Sequence, residues 1–447
     1  MIHYITKYHP LILLFMITFT AHAQKEFQRT YGGMKKDNSY HVLQTSDKGY
    51  LSIGSTESFG SGKSDIYLIK MDSSGNLEWA KTYGGAENDF GHYIDKTKDG
   101  NYIILGHSAS YAKEFTDLCL IKIDVKGNVL WAKSYGMDKS EYANSIKTTS
   151  DGGFVILGET INFIGSDKNS DILVVKTTAD GTFEWSKIYG GKSTDYGYTI
   201  EQTKDMGYII GGETNSFGAG EWDFYLLKLA KDGRLEWAKT YGELLSDYGR
   251  CAVQTADGGY LIGGNTINFN ASEFDFVISK VDKNGEPQWT KMHGGAGTDY
   301  MLSMKLMEND QFVVCGYTNS FDLPAEDAFI TLFHSSGKSV WGKTYGGNFN
   351  DYGVSFSFTD DNSIITGGST NSFGAQMEDV YIIKTALKRT NNDCNSHPVN
   401  PLISTNIKLK VSSGGHEFDL HAVESPIELT MTKTLTAEQI LCIPEEE

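Results

Sequence analysis

The sequence predicts an all-β fold. It is a seven-bladed β-propeller of four-stranded blades, closed by the N-terminal strand and followed by a small C-terminal tail. Three observations carry this. The phrase LEWAKTYGG at Leu77–Gly85 returns along the chain in near-constant register. No segment keeps a helical period. A stray copy of the phrase's strand stands at the N-terminus, where the last copy lacks its own.

The tyrosine of the phrase recurs at Tyr31, Tyr83, Tyr135, Tyr189, Tyr241 and Tyr345, with His293 in the sixth place, so the steps are 52, 52, 54, 52, 52 and 52 residues. An aspartate column moves with it: Asp65, Asp117, Asp171, Asp223, Asp275, Asp327 and Asp379. So does a glycine column: Gly54, Gly106, Gly158, Gly212, Gly264, Gly316 and Gly368. The longer step comes from two extra residues between Phe163 and Asp171.

Each copy reads as four strands. In the fourth these are Tyr198–Thr203, Tyr208–Thr214, Asp223–Leu229 and Arg234–Tyr241. Lys204-Asp205-Met206-Gly207 turns between the first two, as Asp151-Gly152 and Asp257-Gly258 do elsewhere, and Asp-Gly is a strong hairpin signal. Between the last two lie turns such as Asp72-Ser73-Ser74-Gly75. Four antiparallel strands per copy describe a propeller blade. The seventh copy stops after Val380–Lys384, and Phe27–Gly33 (FQRTYGG) supplies its missing strand, with Phe27 in the tryptophan column. This joins first and last blades and leaves no open edge between them.

Composition agrees. Of 447 residues, 49 are Gly against 7 Pro, which suits many tight turns, and 25 Tyr with 23 Phe suit strands. The net charge of −18 argues against nucleic acid and against adsorption on an acidic membrane. Residues 1–23 read as an export signal: Lys7, then the apolar run Leu11–Thr20, then the box Ala21-His22-Ala23. The run is shorter than the ~20 residues of a membrane span. The propeller then occupies 24–388, and 389–447 form a tail or small β module. The protein is expected to be exported (extracellular, surface-bound or periplasmic) and monomeric. Cys119, Cys251 and Cys315 read as buried and apolar. Cys394 and Cys442 bracket the tail and can pair in an oxidising compartment.

The repeat T-x-DGGYI-x-x-G-x-T-x-SFG…D-x-YLIK-x-D-x-x-G-x-x-x-W-x-K-x-YGG resembles that of the secreted propeller-repeat proteins of Bacteroidetes, over about residues 24–388. The stretch Leu68–Trp79 (LIKMDSSGNLEW) is also similar to the tryptophan motif of quinoprotein-type propellers. The adjacent cysteines of those enzymes are absent. The first resemblance implies a secreted propeller, names no ligand, and implies a C-terminal sorting domain whose pattern the tail does not show.

The regular columns read as architecture. Trp79, Trp131, Trp185, Trp237, Trp289 and Trp341 suit packing between blades rather than ligand stacking. Asp37, Asp89, Glu141, Asp195, Asp247, Asp299 and Asp351 open the first strands, usually before an aromatic. They suit bonds to backbone amides at turns rather than a cation site, which places several ligands in one loop. Thr214-Asn215-Ser216-Phe217-Gly218 and its relatives recur too regularly to be a site.

Departures from the repeat point to binding. Loops joining second to third strands share a face with those joining blades, and tight turns fill the other face, so the looped face is the binding candidate. There blade three has an enlarged loop, Ile164–Ser170, and blades four and five place Trp222 and Phe274 where most copies have Ser, Thr or Glu, after Glu221 and Glu273. Exposed aromatics beside carboxylates suit sugar rings. The candidate ligand-binding residues are Trp222, Phe274, Glu221, Glu273, Asp167 and Asn169, for a glycan or an extracellular protein; the simpler alternative is local loop packing. There is no Gly-x-Ser-x-Gly elbow, His-Glu-x-x-His helix or phosphate loop. No catalytic residue, metal site or cofactor is assigned. The reading is a binding or scaffold protein, with a polysaccharide-acting enzyme or a cell-envelope interaction platform as alternatives.

Overall fold

The computed structural model describes residues 26–387, apart from 113, 138, 165–166, 268–272, 322 and 375–376, together with the backbone of seven short strands between 396 and 442. The export signal at 1–23 lies outside the described residues. Seven four-stranded antiparallel blades form a propeller, and the described residues contain no helix.

Blade 4 comprises Asp195–Gln202, Tyr208–Thr214, Asp223–Leu229 and Leu235–Gly242. Its first strand thus starts three residues before the expected Tyr198, because Asp195 anchors the strand at the joint with blade 3. The N-terminal strand Phe27–Gly32 pairs with Asp379–Ala386, from Phe27 opposite Lys384 to Tyr31 opposite Val380. It is the outermost propeller strand of blade 7.

In blade 3 the extra residues do not make an open loop. They lengthen the second and third strands to Phe154–Ile164 and Asp167–Thr177, whose ladder continues through Asn162 opposite Asn169 to Ile164 opposite Asp167. Two added residues preserve the two-residue strand period, so the ribbon grows without changing which side chains face the core.

The hydrophobic core lies between blades. One cluster, for example, joins Leu51, Ile53 and Ile66 of blade 1 to Ile104, Cys119 and Ile121 of blade 2. The three described cysteines are buried and unbridged. The opening phrase is a blade-to-blade joint. Trp79 packs where a Cβ on Gly127 of the next blade would come within 2.8 Å of its ring. Tyr83 donates to the Gly127 carbonyl at 2.8 Å, and Tyr241 to that of Gly285 at 2.7 Å. The lysine of the third strand reaches the 1–2 turn of its own blade: Lys70 Nζ lies 3.0 Å from Asp47 and Lys228 Nζ 2.9 Å from Asp205. Blade 6 lacks both partners together, having Leu332 and Asn309.

Buried carboxylates close each joint. Asp195 Oδ2 accepts from Gly191 N–H at 2.7 Å and from Ser216 Oγ at 2.7 Å, while Thr214 Oγ1 donates to Oδ1. Thr214 Oγ1 in turn accepts from Ser216 N–H. The T-x-S-F column is therefore the other half of this clasp. The second aspartate column holds the loop between second and third strands: Asp223 Oδ2 accepts from Ala219 and Gly220 N–H, each at 3.0 Å. Both columns crowd the first glycine of Tyr-Gly-Gly. A Cβ on Gly84 would stand 2.1 Å from Asp65 Oδ1 and 2.8 Å from Asp89 Oδ2.

The described strands between 396 and 442 pair with the blades rather than with one another. The seven strands begin at 396, 403, 410, 416, 423, 430 and 437, and each pairs antiparallel with the outermost strand of one blade. The order is blade 6, 5, 4, 3, 2, 1 and 7. Adjacent strands rotate by roughly 20–25°, so outer strands swing away from the direction of the inner ones. Six or seven residues at ~3.3 Å each reach at most roughly 20–23 Å, and each such step carries the chain to the next outer strand. The last belt strand, Ala437–Cys442, pairs with Phe27–Gly32, so both chain ends meet in blade 7. Of Cys442 only the backbone is described, and Cys394 lies outside the described residues.

Two outcomes follow. Deleting residues 26–33 leaves blade 7 three propeller strands and is expected to abolish cooperative unfolding in thermal circular dichroism. Truncation after residue 388 is expected to lower the midpoint while keeping the ring. A 26–33 deletion that melts like the full chain contradicts the closure.

A further outcome concerns pH. Burial pushes Glu141 up to about 8 and Asp275 and Asp327 up to about 7, with the neighbouring aspartate of each joint adding to the rise. These groups bind protons on folding between about pH 4 and their raised values, so stability falls as pH rises through that window. Asp151 and Asp257 are instead held down to about 2, despite partial burial, by bonds from threonine, a glycine N–H and a lysine. The stability they contribute is present above about pH 4 and lost as pH falls towards 2. The urea midpoint is expected to peak near pH 4–5 and to decline by pH 8, with Asp275→Asn flattening the decline.

Candidate functional site

The first strands line the central channel, and each carries one bulge in the same place. The register slips at Tyr40, His92, Asn144, Tyr198, Arg250, Leu302 and Val354. A bulge re-aims a side chain, and all seven of these residues line one cavity on the propeller axis, of about 230 Å³. The invariant glycines make the bulge fit. A Cβ on Gly212 would stand 1.8 Å from the Tyr196 carbonyl oxygen, and one on Gly264 2.0 Å from that of Tyr248.

Two residues before each bulge, in blades 2 to 7, stands the aromatic that follows the clasp acid. In blades 4 to 7 these rings, with Trp222, Phe274 and Tyr317, make a continuous arc. Tyr196 and Trp222 stack at 5.7 Å between centroids and 7° between planes. The contacts continue from Trp222 to Tyr248 (6.3 Å), Phe274 (5.9 Å), Tyr300 (5.5 Å), Tyr317 (5.2 Å) and Tyr352 (5.1 Å). A shorter arc runs through Tyr40, His92, His107 and Tyr142. Among the described residues no ring contact joins Tyr142 to Tyr196.

In that break stand two acids, Glu159 and Glu213. They occupy the position after the invariant glycine, where other blades have Ser55, His107, Asn265, Tyr317 and Ser369. Tyr198 donates to Glu213 Oε1 at 2.8 Å, and Ser170 to Glu159 Oε2 at 3.2 Å. Burial pushes Glu159 up to about 7, and Glu213 adds to this. Glu213 is also raised by burial, against the pull of Arg250. The Arg250 guanidinium lies 4.4 Å above the Tyr198 ring and donates to Tyr300. Glu213 Oε2 and Arg250 Nε are buried without hydrogen-bond partners.

The structure treats the sequence candidates unevenly. Trp222 and Phe274 are on the looped face but half-buried, wedged between tyrosines rather than standing free. Glu221 and Glu273 are exposed and accept from the next joint, from Ser246 at 3.5 Å and Thr298 at 2.5 Å. Asn169 donates to the Lys192 carbonyl at 2.9 Å, and of Asp167 only the strand position is described. Sequence reasoning missed Glu159, Glu213 and Arg250. The signal was available: both the bulge column and the position after the invariant glycine vary from blade to blade between constant neighbours. Among the described residues no group of three His, Cys, Asp or Glu side chains is placed to hold a metal, and no helix is long and apolar enough to cross a membrane.

No protein-family model matches the chain. Over 269 residues it is 26% identical to the regulatory protein FlaEY of Caulobacter vibrioides, in an alignment that takes in 54% of this chain and 26% of that protein. The matched part is thus about a quarter of the relative's length. Among solved structures, endo-1,5-alpha-L-arabinanase from Thermotoga petrophila aligns over 76% of this chain and 82% of its own, at 14% identity and a TM-score of 0.28. The same enzyme in complex with TRIS aligns at 13% identity and a TM-score of 0.27. Likeness of that size carries no conclusion about activity.

Arg250 supplies the positive charge beside Glu213. Arg250→Leu is expected to cost about 2–4 kcal/mol in denaturant unfolding, because it leaves a buried acid without its cation. Adding Glu213→Gln is expected to recover part of that loss. A double variant less stable than Arg250→Leu counts against the coupling.

Proposed function

We propose that this is an exported binding propeller whose looped face takes up a saccharide. The observation that carries the reading is the arc of half-buried rings from Tyr196 to Tyr352, broken by Glu159 and Glu213. Sugar rings offer an apolar face to such aromatics and hydroxyls to such carboxylates. The rim fits a surface that meets a ligand: Leu244, at 71% exposure, stands on the segment that crosses from blade 4 to blade 5. Trp222, Phe274, Glu221, Glu273, Asp167 and Asn169 would form the outer contacts, with Glu159, Glu213 and Arg250 behind them. Residence in the periplasm, at the cell surface or outside the cell belongs to the same proposal.

A second reading, a polysaccharide-acting enzyme, is favoured by Glu159 and Glu213 alone. An acid raised to about 7 beside a second buried carboxylate is the environment a glycosidase gives its proton donor.

Trp222→Ala is expected to weaken binding on a glycan array by about tenfold, or ~1.4 kcal/mol, with little change in melting temperature. Unchanged binding by a folded variant removes the ring arc from the account. Reducing ends released by the wild-type chain, and lost in both Glu159→Gln and Glu213→Gln, would favour the enzyme instead.

A further inference from the structure

Three residues after each bulge the first strands carry a second column, Leu43, Asp95, Lys147, Glu201, Val253, Lys305 and Ser357, of which Lys147, Glu201, Val253 and Lys305 line the same cavity. Its charges are unevenly matched. Lys147 sits between the acids of both neighbouring blades, with Nζ 3.5 Å from Glu201. Lys305 sits between Val253 and Ser357. Its Nζ donates to Ser357 Oγ at 3.2 Å and lies 5.6 Å from the centroid of the Phe356 ring. No carboxylate lies within 4 Å of it among the described residues.

The next two blades in the ring add unmet polar groups to the same cavity wall. Ser355 Oγ of blade 7 is buried without a partner. His41 of blade 1 is 4% exposed and stacked on Tyr93 at 3.7 Å; the Ile94 carbonyl faces its ring, and neither ring nitrogen makes a hydrogen bond of ordinary geometry. The cavity, at about 230 Å³, far exceeds the ~10–15 Å³ that one water needs. A half-buried cation with no carboxylate in contact, beside unmet polar groups, is costly unless something completes it.

We propose that this part of the channel binds a small oxyanion, a carboxylate or phosphate group, between Lys305, Ser355 and His41. Its residues come from blades 6, 7 and 1 and none of them is assigned to the saccharide, although Arg250 lines the same cavity. The oxyanion would accept from the Lys305 ammonium, the Ser355 hydroxyl and a His41 ring N–H. In a chain of net charge −18, two lysines, Lys305 and Lys147, act on His41 here. Burial, then Lys147, pulls Lys305 down to about 7, against weaker opposing effects from Glu201, Cys315 and Asp95. His41 is lowered by burial, then by Lys305 and Lys147. A bound anion opposes each of these repulsions and favours the protonated Lys305.

The test uses the full chain and isothermal titration at constant ionic strength, with inorganic phosphate, glucuronate and glucose as probes. Binding of phosphate or glucuronate that Lys305→Met weakens is expected, while any binding of glucose at the rim is expected to be unchanged in that variant. Phosphate alone identifies an inorganic oxyanion site, and glucuronate alone a carboxylate-bearing organic ligand. Lys305→Met is expected to weaken the anion at least tenfold and to melt no lower than wild type, since it removes an uncompensated charge. His41→Leu gives a second variant, with the same direction expected. Affinity is expected to fall between pH 6 and pH 9 as Lys305 loses its proton. Binding of neither anion, unchanged anion affinity in both variants, or a glucuronate affinity flat across that pH range overturns the proposal.

Discussion

Each joint between blades is closed by one buried acid, and the rest of the molecule is arranged around it. The carboxylate accepts from the backbone of the crossing segment and from the hydroxyls that end the second strand. Blades are otherwise held by apolar contact, which has no direction. The clasp supplies direction, because hydrogen-bond geometry admits one placement of crossing, first strand and second-strand end. Its fixed needs explain why Asp, Thr, Ser and two glycines recur together. They also explain why the second aspartate column lies so close to the first: both reach the same tyrosine-glycine corner.

Function depends on what the clasp leaves free. Anchoring the first residue of the inner strand fixes where its bulge falls. The bulge then turns one side chain per blade into the channel, and the glycine opposite accepts the displaced carbonyl. Seven identical frames thus display six kinds of side chain: Tyr40, His92, Asn144, Tyr198, Arg250, Leu302 and Val354. The ring is regular in its joints and irregular on its axis. That division suits a fold that keeps one architecture while its ligand chemistry changes.

Charge follows the same division. Acids paired with lysines at the tight turns lie partly in water, where they are worth little individually. Acids at the joints are buried beside one another and held up towards neutrality. On the axis the sign changes, and Arg250 and Lys305 stand where the surrounding acids are few or committed. A net charge of −18 describes the outside of the protein and says nothing of its channel.

The sequence by itself determined the blade count, the strand order, the closing strand and the structural role of the tryptophan and acid columns. All of these rest on local chemistry repeated seven times, and repetition makes a local signal legible. The 54-residue step was legible as an insertion, but only the ladder showed it to be ribbon rather than loop. The tertiary structure decided the rest. Trp222 and Phe274 prove to be members of an arc because their neighbours in space come from other blades. Glu159, Glu213 and Arg250 are scattered through the chain and meet only where the ring brings three blades to one mouth. The residues after 388 carry no clear strand pattern of their own, because each of their strands is completed by a partner hundreds of residues away in most blades. Contacts between copies of a repeat cannot be read from any one copy, and this protein's chemistry lies in those contacts.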